Sequence, residues 1–148
     1  MKRKERGYTL VELIIAIAIT GFLTATLGLV VQQMVTVPER GDDQVNALHA
    51  IQNAAHWVSL DGQTAKSASG GSGLALTLPD ASSISYVLYG DELHRVSGSS
   101  NRTIARGIAS ASFSVEGRLI TMNITAAPDS RWDISESGTY QINMRPTP

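Results

Sequence analysis

The chain has 148 residues, with 12 basic and 13 acidic side chains and a net charge of -1, which allows one globular domain but little more. This charge does not indicate a nucleic-acid-binding protein, because such binding depends on neutralising phosphates with Lys and Arg. There is no cysteine, which excludes disulfides, iron–sulfur clusters, thiolate zinc sites and cysteine nucleophiles.

The amino-terminal segment predicts a membrane-spanning helix. Four basic residues occur in the first six positions, and residues 13–31 contain no charge and no proline. A helix rises about 1.5 Å per residue, so a run of about 20 residues crosses a hydrocarbon layer of about 30 Å. The basic residues predict a single pass through the cytoplasmic (inner) membrane, with the amino terminus inside and the carboxyl-terminal domain outside.

Two ordinary explanations of this segment are a secretory signal peptide and a plain signal anchor. The apolar region of a signal peptide is only about 7 to 15 residues long and ends in a small-x-small cleavage site. The present run is longer, which argues against a signal peptide. A signal anchor remains open on the apolar run alone.

Glu12 favours a more specific class of protein over a plain signal anchor. An ionised side chain within the membrane costs on the order of 3 kcal/mol, so Glu12 needs a partner. If the chain is cut after Gly7, the new α-amino group of Tyr8 is cationic near neutral pH and lies one helical turn away. The same amine on a neighbouring subunit would serve equally well. The helix dipole contributes only about 0.3 to 1 kcal/mol, which is too little to explain the position.

The sequence GYTLVE at residues 7–12, with a basic leader before it and an apolar run after it, resembles the class III leader of type IV pilins and type II secretion pseudopilins. The resemblance implies that a prepilin peptidase cuts between Gly7 and Tyr8 and methylates the new Tyr8 amine. It also implies that Glu12 serves assembly. Tyr8 stands where Phe is commonest and Glu5 lowers the charge of the leader, but neither departure should block processing.

The apolar run carries two further indications. Gly21, Ala25 and Gly28 are spaced by four and three residues, so they share a helix face that another helix can approach closely. The alternative is that small residues are simply common in membrane helices. Many major pilins have a proline at the position matched by Leu29, and its absence favours a minor subunit.

Removal of residues 1–7 would leave a mature chain with a net charge of -4.

Pro38 marks a boundary at which a helix either kinks or stops and restarts. Beyond it, apolar residues recur every three or four positions, which predicts an amphipathic helix to about Leu60 that packs on a sheet: Val45, Leu48, Ile51, Ala55 and Val58. In the resembled family this is the second half of one long helix. The expected division is a cleaved leader (1–7), a transmembrane and assembly helix (8–37), its amphipathic continuation (38–60) and an antiparallel β globular domain (61–148).

The carboxyl-terminal half predicts an antiparallel sheet. Residues 61–73 are rich in Gly, Ser and Ala, which predicts a flexible loop. The apolar period then changes to two, with turns at Gly90-Asp91 and Gly117, and predicts strands at 74–78, 84–89, 92–96, 110–116, 118–125 and 140–145. One helix followed by hairpins predicts an α+β fold with a single core between helix and sheet. Residues 84–125 also resemble, in their rhythm, J-type minor pseudopilins and related minor pilins.

The sequence gives little catalytic or metal-binding chemistry. It contains no G-x-S-x-G, Walker A, H-E-x-x-H, S-x-x-K or G-x-G-x-x-G motif, so we expect no enzyme, no cofactor and no metal. His49 and His56 share a helix face and, with Asp42 or Asp43, form a weak metal candidate. Some pseudopilins bind calcium in a loop, but the loop acids do not form a calcium-binding pattern: Asp80, Asp129, Asp133 and Glu136.

Two aromatic residues, Trp132 and Tyr140, belong either to a partner surface or, as the stronger alternative, to the sheet core.

The resulting hypothesis is a prepilin-type subunit that is cleaved, N-methylated and assembled as a minor pseudopilin of a type II secretion pseudopilus. Its expected partners are the prepilin peptidase, other pilin or pseudopilin subunits, the inner-membrane assembly platform and the lipid bilayer, and not nucleic acid. A minor pilin of a type IV pilus, serving adhesion, motility or DNA uptake, is one alternative. The other is a signal-anchored extracytoplasmic domain that never polymerises.

Overall fold

A computed structural model describes residues 8–128 and 133–145. Its one helix is α1 (Leu10–Thr64), and eight strands follow within the described residues: β1 (Ser67–Ser69), β2 (Gly73–Thr77), β3 (Ser83–Tyr89), β4 (Glu92–Ser97), β5 (Ser100–Ala105), β6 (Ile108–Glu116), β7 (Leu119–Ala126) and β8 (Glu136–Asn143). This is the α+β, pilin-like layout that the sequence predicts. The chain divides into two compact units, one up to Glu39 and one from Arg40 onward.

The helix is longer than its apolar pattern predicts. It is uninterrupted from Leu10, so the alternative that it stops and restarts at Pro38 is wrong. It also continues past Leu60 to Thr64, which corrects the boundary expected for the globular domain. The last turn is stabilised by burial of its first residues and by a side-chain bond: Asp61 is 6% exposed, and its carbonyl accepts a 2.9 Å hydrogen bond from the Thr64 hydroxyl.

The first unit presents the apolar part of α1. Its large hydrophobic side chains are exposed, and α1 contains an 18-residue window with a mean hydropathy of 2.4, the one such candidate span among the described residues. Threonine hydroxyls in this part donate hydrogen bonds to backbone carbonyls one turn earlier. Thr20 donates to the Ala16 carbonyl and Thr24 to the Thr20 carbonyl, both at 2.8 Å. This pairing satisfies the hydroxyls without water, as a membrane requires.

The buried stripe of α1 in the second unit differs from the predicted one. Val45 and Leu48 are 48% and 40% exposed, so their assignment to the packed face is wrong. The stripe instead follows small and branched residues: Ala47, Ile51, Ala54, Ala55 and Val58. Small side chains allow the sheet to come close, and a Cβ built on Gly138 would lie 3.2 Å from the Ile51 side chain.

The strands form two antiparallel sheets where the sequence predicts one. The first has the order β1-β2-β3-β4-β5 and the second the order β6-β7-β8. They meet at a bridge in which the Phe113 amide donates a 2.9 Å hydrogen bond to the Gly71 carbonyl. At Gly70 a Cβ would lie 2.4 Å from the Phe113 oxygen, so only glycine fits there. The flexible loop predicted for 61–73 is therefore wrong, because this segment holds the helix end, β1 and the bridge.

A single hydrophobic cluster joins α1 to the inner faces of both sheets. Tyr86 and Leu93 come from the first sheet and Met122 and Ile142 from the second, and all are buried. Built on Gly62 in the last turn of α1, a Cβ would lie 3.1 Å from the Ile142 side chain. The core therefore lies where the sequence predicts it, between helix and sheet.

The outer face of the three-stranded sheet is mostly polar, and it carries one acidic residue, Glu116, in the cross-strand row Glu116-Leu119-Asn143. The strand registers place Ser, Thr, Asn and Gln side chains in three further rows of this face: Ser110-Thr125-Ser137, Ser112-Asn123-Thr139 and Ser114-Thr121-Gln141. The residues contributed by β6 and β8, and Asn123 of β7, are exposed. Alternate residues of the same strands point into the core, including Phe113 and Met122.

Candidate functional site

The start of α1 is a capping box built from Thr9 and Glu12. The Thr9 hydroxyl accepts a 3.3 Å hydrogen bond from the Glu12 amide, and the Glu12 Oε2 atom accepts 3.2 Å bonds from both the Thr9 amide and the Thr9 hydroxyl. Thr9 is thus the N-cap and Glu12 the third helical residue, the spacing at which the two satisfy each other's free backbone amides. This role of Thr9 was not predicted from the sequence, although its T-x-x-E spacing is the usual signal.

This geometry directs the Glu12 carboxylate toward the first residues of the helix. Tyr8, which would carry the new amine after cleavage, precedes Thr9 and is 89% exposed. Gly7 lies outside the described residues, so the cleavage bond itself has no structural description. The carboxylate is therefore satisfied within its own chain, at the exposed start of α1.

The small-residue face of the apolar helix contains a shallow groove. Thr20, Gly21, Thr24 and Ala25 line it, together with Ala16 and Ile17. Gly28 is not part of this lining, although a Cβ built there or at Gly21 would contact nothing within 4 Å. Gly21 and Ala25 therefore share one groove, while Gly28 lies in open space beyond it.

A buried polar group in the second unit is centred on Asp61 in the last turn of α1. Asp61 accepts hydrogen bonds from Arg95 at both carboxylate oxygens, at 2.6 Å from Nε and 3.0 Å from Nη2. The Tyr86 hydroxyl donates a further hydrogen bond to the same carboxylate. Tyr86 lies in β3 and Arg95 in β4, so Asp61 fastens the helix end to two strands of the five-stranded sheet.

The environment of this group fixes its charge state. Burial, more than the nearby Asp61 carboxylate, raises the pKa of Tyr86 well above its ordinary value, so the phenol stays protonated and donates. The hydrogen bond to Asp61 raises the pKa of Arg95. The Arg95 and Arg102 guanidinium carbons lie 5.3 and 5.2 Å from the ring centroid of Trp57. These two arginines are cross-strand partners, and the Trp57 ring offsets their repulsion.

A second polar group lies at the surface of β4 and β5. Glu92 accepts a 2.8 Å hydrogen bond from Arg106 and a 3.2 Å bond from Thr103. The bond from Arg106 is the chief reason that the pKa of Glu92 lies below its usual range. His94 contacts Glu92 through Nε2 at 3.1 Å and Asn101 through Nδ1 at 2.9 Å. This group, which was not predicted from the sequence, connects β4 to β5 and the residue that follows it.

The histidine candidates do not form a metal site. His49 and His56 are both exposed, and the His56 ring lies edge-on to Trp57 with centroids 6.2 Å apart. Asn46, His49 and Asn53 border an open groove between α1 and β5, where Asn53 donates a 2.5 Å hydrogen bond to the Ile104 carbonyl. Among the residues that the structure describes, no three His, Asp or Glu side chains are grouped to hold a metal ion.

The candidate calcium ligands are dispersed. Asp80 accepts hydrogen bonds from the amide and hydroxyl of Ser82, at 3.0 and 2.6 Å, and so stabilises its own turn. Glu136 accepts a 2.8 Å hydrogen bond from Gln44 of α1. Asp133 has a left-handed backbone conformation, with a φ of 51°. Asp129 lies outside the described residues.

Tyr140 packs half-buried against the core, as the core alternative predicts. Trp132, the other aromatic candidate, lies outside the described residues.

Comparison with known families indicates which of these groups of residues is the candidate functional site. Residues 2–28 match the family model of the prokaryotic N-terminal methylation motif. This match covers the leader, Tyr8, Glu12 and the start of the apolar helix, and it supports a prepilin-type subunit that a prepilin peptidase processes. No curated protein sequence and no solved structure matches the chain. The motif makes the amino-terminal end the candidate functional site.

Proposed function

We propose that this protein is a minor pseudopilin of a type II secretion pseudopilus. The observation that carries the proposal is the methylation motif at residues 2–28, which ends in an apolar helix with exposed side chains. A filament subunit needs such a helix because it passes from the bilayer into a bundle of like helices without meeting water. The pilin-like second unit supports the same class.

The methylation motif and the capping box support specific roles for the amino-terminal residues. Prepilin peptidase cuts between Gly7 and Tyr8 and methylates the Tyr8 amine. The Glu12 carboxylate then offsets the amine of its own chain or of a neighbouring subunit, which lowers the cost of holding the charge in the apolar filament core. The capping box holds Glu12 in position before a partner arrives, since Thr9 already orients its Oε2 atom.

The minor-subunit assignment rests on two sequence features. Leu29 replaces the helix-kinking proline of many major pilins, and residues 84–125 have the rhythm of J-type minor pseudopilins. Gly21 and Ala25 share a groove in which a neighbouring helix can pack, with Gly28 one turn further along.

A deletion strain separates the secretion system from a pilus system. Loss of the gene is expected to abolish export of folded exoproteins while surface pili remain, and the wild-type gene in trans should restore export. Both outputs are measured on the same cultures, by enzyme activity in the medium and by pili sheared from the surface. Normal export with loss of pili would contradict the proposal and identify a minor type IV pilin. Normal export and normal pili would contradict both assignments.

A further inference from the structure

We propose that the free edge of β8 receives an amphipathic β-strand of a different protein chain, and that the added strand also covers Leu48 of α1. Among the described residues, β8 pairs with β7 on one side and has no strand on the other. This surface lies in the second unit and is separate from the amino-terminal motif. The inference therefore goes beyond the proposed function and adds a mode of partner binding to it.

Three of the four edge strands of the two sheets are protected against pairing by features that natural sheets use for that purpose. Strand β1 has only three residues. Strand β5 carries Arg102 and a register shift, and its Ile104 carbonyl accepts a 2.5 Å hydrogen bond from Asn53 of α1. Strand β6 also has a register shift, and it is bridged to Gly71 through Phe113.

Strand β8 has none of these protective features. Its residues, Glu136–Asn143, all pair with β7 without a register shift. The strand contains no proline, and its single charge is its first residue, Glu136, which accepts a hydrogen bond from Gln44 of α1. Its exposed side chains are neutral: Ser137, Thr139, Gln141 and Asn143. A long, regular and nearly uncharged edge presents backbone amides and carbonyls with which an added strand can pair.

Strand β8 runs alongside the second-unit part of α1. Three pairs of neighbouring residues mark this path along both elements: Gln44 with Glu136, Ile51 with Gly138, and Gly62 with Ile142. Successive residues of a helix are rotated by about 100°, so the three helix residues lie within about 20° of one another around the helix axis. A strand added to the free edge of β8 would therefore also run alongside α1, on the next strip of the helix surface.

Leu48 is an exposed apolar residue on that strip. It lies about 40° from Gln44 around the helix axis, on the side away from the buried Ala47. Its side chain is 40% exposed, and Val45, another exposed apolar residue, lies about 60° further round. Ile51 is buried where β8 packs beside it, and a strand beside β8 would cover Leu48 in the same way.

These two features together specify the chemistry of the partner. The backbone edge requires an extended strand, and Leu48 requires that this strand carry apolar side chains on its helix-facing side. The neutral side chains on the other face of β8 fit an uncharged polar face on the added strand. Water satisfies an exposed edge but leaves Leu48 uncovered, so solvation accounts for only one of the two features.

A second copy of β8 does not fit this site. Antiparallel pairing of two β8 strands in one sheet needs a two-fold axis normal to the sheet, which reverses the direction of α1 in the second copy. That arrangement does not suit chains that share one membrane orientation, and this step alone rests on the proposed function. Parallel pairing needs an axis along the strand, which turns the polar side of the second β8 toward Leu48. The partner is therefore a different protein chain.

The test is binding of a synthetic peptide with the sequence of residues 119–126 to the full chain in lipid nanodiscs, measured by fluorescence anisotropy of the labelled peptide. This sequence, that of β7, is a neutral amphipathic strand that pairs with the other edge of β8. A control peptide with every amide N-methylated keeps the side chains but has no backbone donors. The test variant is Leu48→Gln. The matched control is Leu60→Gln, at another exposed leucine of α1 about 120° away around the helix axis.

We expect the wild-type chain and Leu60→Gln to bind the peptide with equal affinity, the affinity of Leu48→Gln to fall about tenfold, and the N-methylated peptide not to bind. The proposal is overturned if the peptide does not bind, if the N-methylated peptide binds as well, or if the two variants have the same affinity. It is also overturned if sedimentation velocity in detergent shows a dimer that Leu48→Gln dissociates, since the occupant is then a second copy. None of these measurements involves cleavage or filaments, so their failure is distinguishable from failure of the proposed function.

Discussion

Replacement of Asp61 by alanine is expected to destabilise the folded second unit by about 3–5 kcal/mol, the effect of removing one partner from a buried ion pair. The variant leaves the Arg95 guanidinium, which is 19% exposed at its side chain, without its bidentate acceptor. It also leaves the buried Tyr86 hydroxyl without the carboxylate to which it donates. The helix end would then lose its polar attachment to β3 and β4.

Urea unfolding of the full chain in detergent, followed by tryptophan fluorescence, measures this effect. The free energy of unfolding of Asp61→Asn should lie between those of wild type and Asp61→Ala. Its amide oxygen can accept a hydrogen bond from Tyr86, but the amide cannot replace the carboxylate that accepts two hydrogen bonds from Arg95. Glu92→Gln, which removes an exposed ion pair with Arg106, is the matched control and should change the midpoint much less. A value for Asp61→Ala within about 1 kcal/mol of wild type would contradict the central role of Asp61, since that change is typical of an ordinary point mutation.

Glu12→Leu is expected to leave cleavage intact and to reduce incorporation into filaments by about tenfold or more, equivalent to a loss of about 1.4 kcal/mol per subunit contact. The reason is that the subunit amine loses the carboxylate that offsets its charge in the apolar core. Because Glu12 also completes the capping box, the leucine variant removes two interactions together. The capping contribution is on the order of 0.5–2 kcal/mol, so it needs a separate control.

Two further variants separate these contributions. Glu12→Gln keeps an oxygen that can accept from the Thr9 amide but removes the charge, whereas Thr9→Val removes the cap and keeps the charge. The charge-pair account predicts that Glu12→Gln assembles as poorly as Glu12→Leu and that Thr9→Val assembles much better. Glu12→Asp, whose carboxylate reaches less far, should be intermediate. The readout is the ratio of sheared-filament to membrane-bound protein, and a Glu12→Gln variant that assembles normally would refute the charge-pair account.

The amino-terminal half was accessible from the sequence because its signals are local. A basic leader, a cut-site glycine and a carboxylate at a fixed distance depend on chain spacing alone, and the motif at residues 2–28 has that spacing. The α+β order was likewise predictable from the change of apolar period after Gly73. Periodicity placed the amphipathic stripe less well, because Ala47 and Ala54 contribute little to an apolar pattern but much to close packing.

The parts that the sequence did not predict depend on contacts between distant residues. Strand β5 contains Ser, Asn, Arg and Thr without alternation, and it is a strand because it pairs with β4. Strand β1 arises from its pairing with β2, and the glycine bridge arises from the approach of β6; no local pattern encodes either contact. Asp61 follows Val58 by three residues on the buried stripe, and that spacing was the one signal of its burial. Its partners Tyr86 and Arg95 are 25 and 34 residues away.

The central claim, that this chain is a prepilin-type subunit, is tested most directly at its amino terminus. The measurement is intact mass combined with amino-terminal sequencing of the protein from native membranes, with and without an active prepilin peptidase. The account predicts a mature chain that begins at N-methylated Tyr8 when the peptidase is active and the uncut chain when it is not. A chain that keeps Lys2 to Gly7 in the presence of active peptidase would contradict the account and identify a plain membrane anchor.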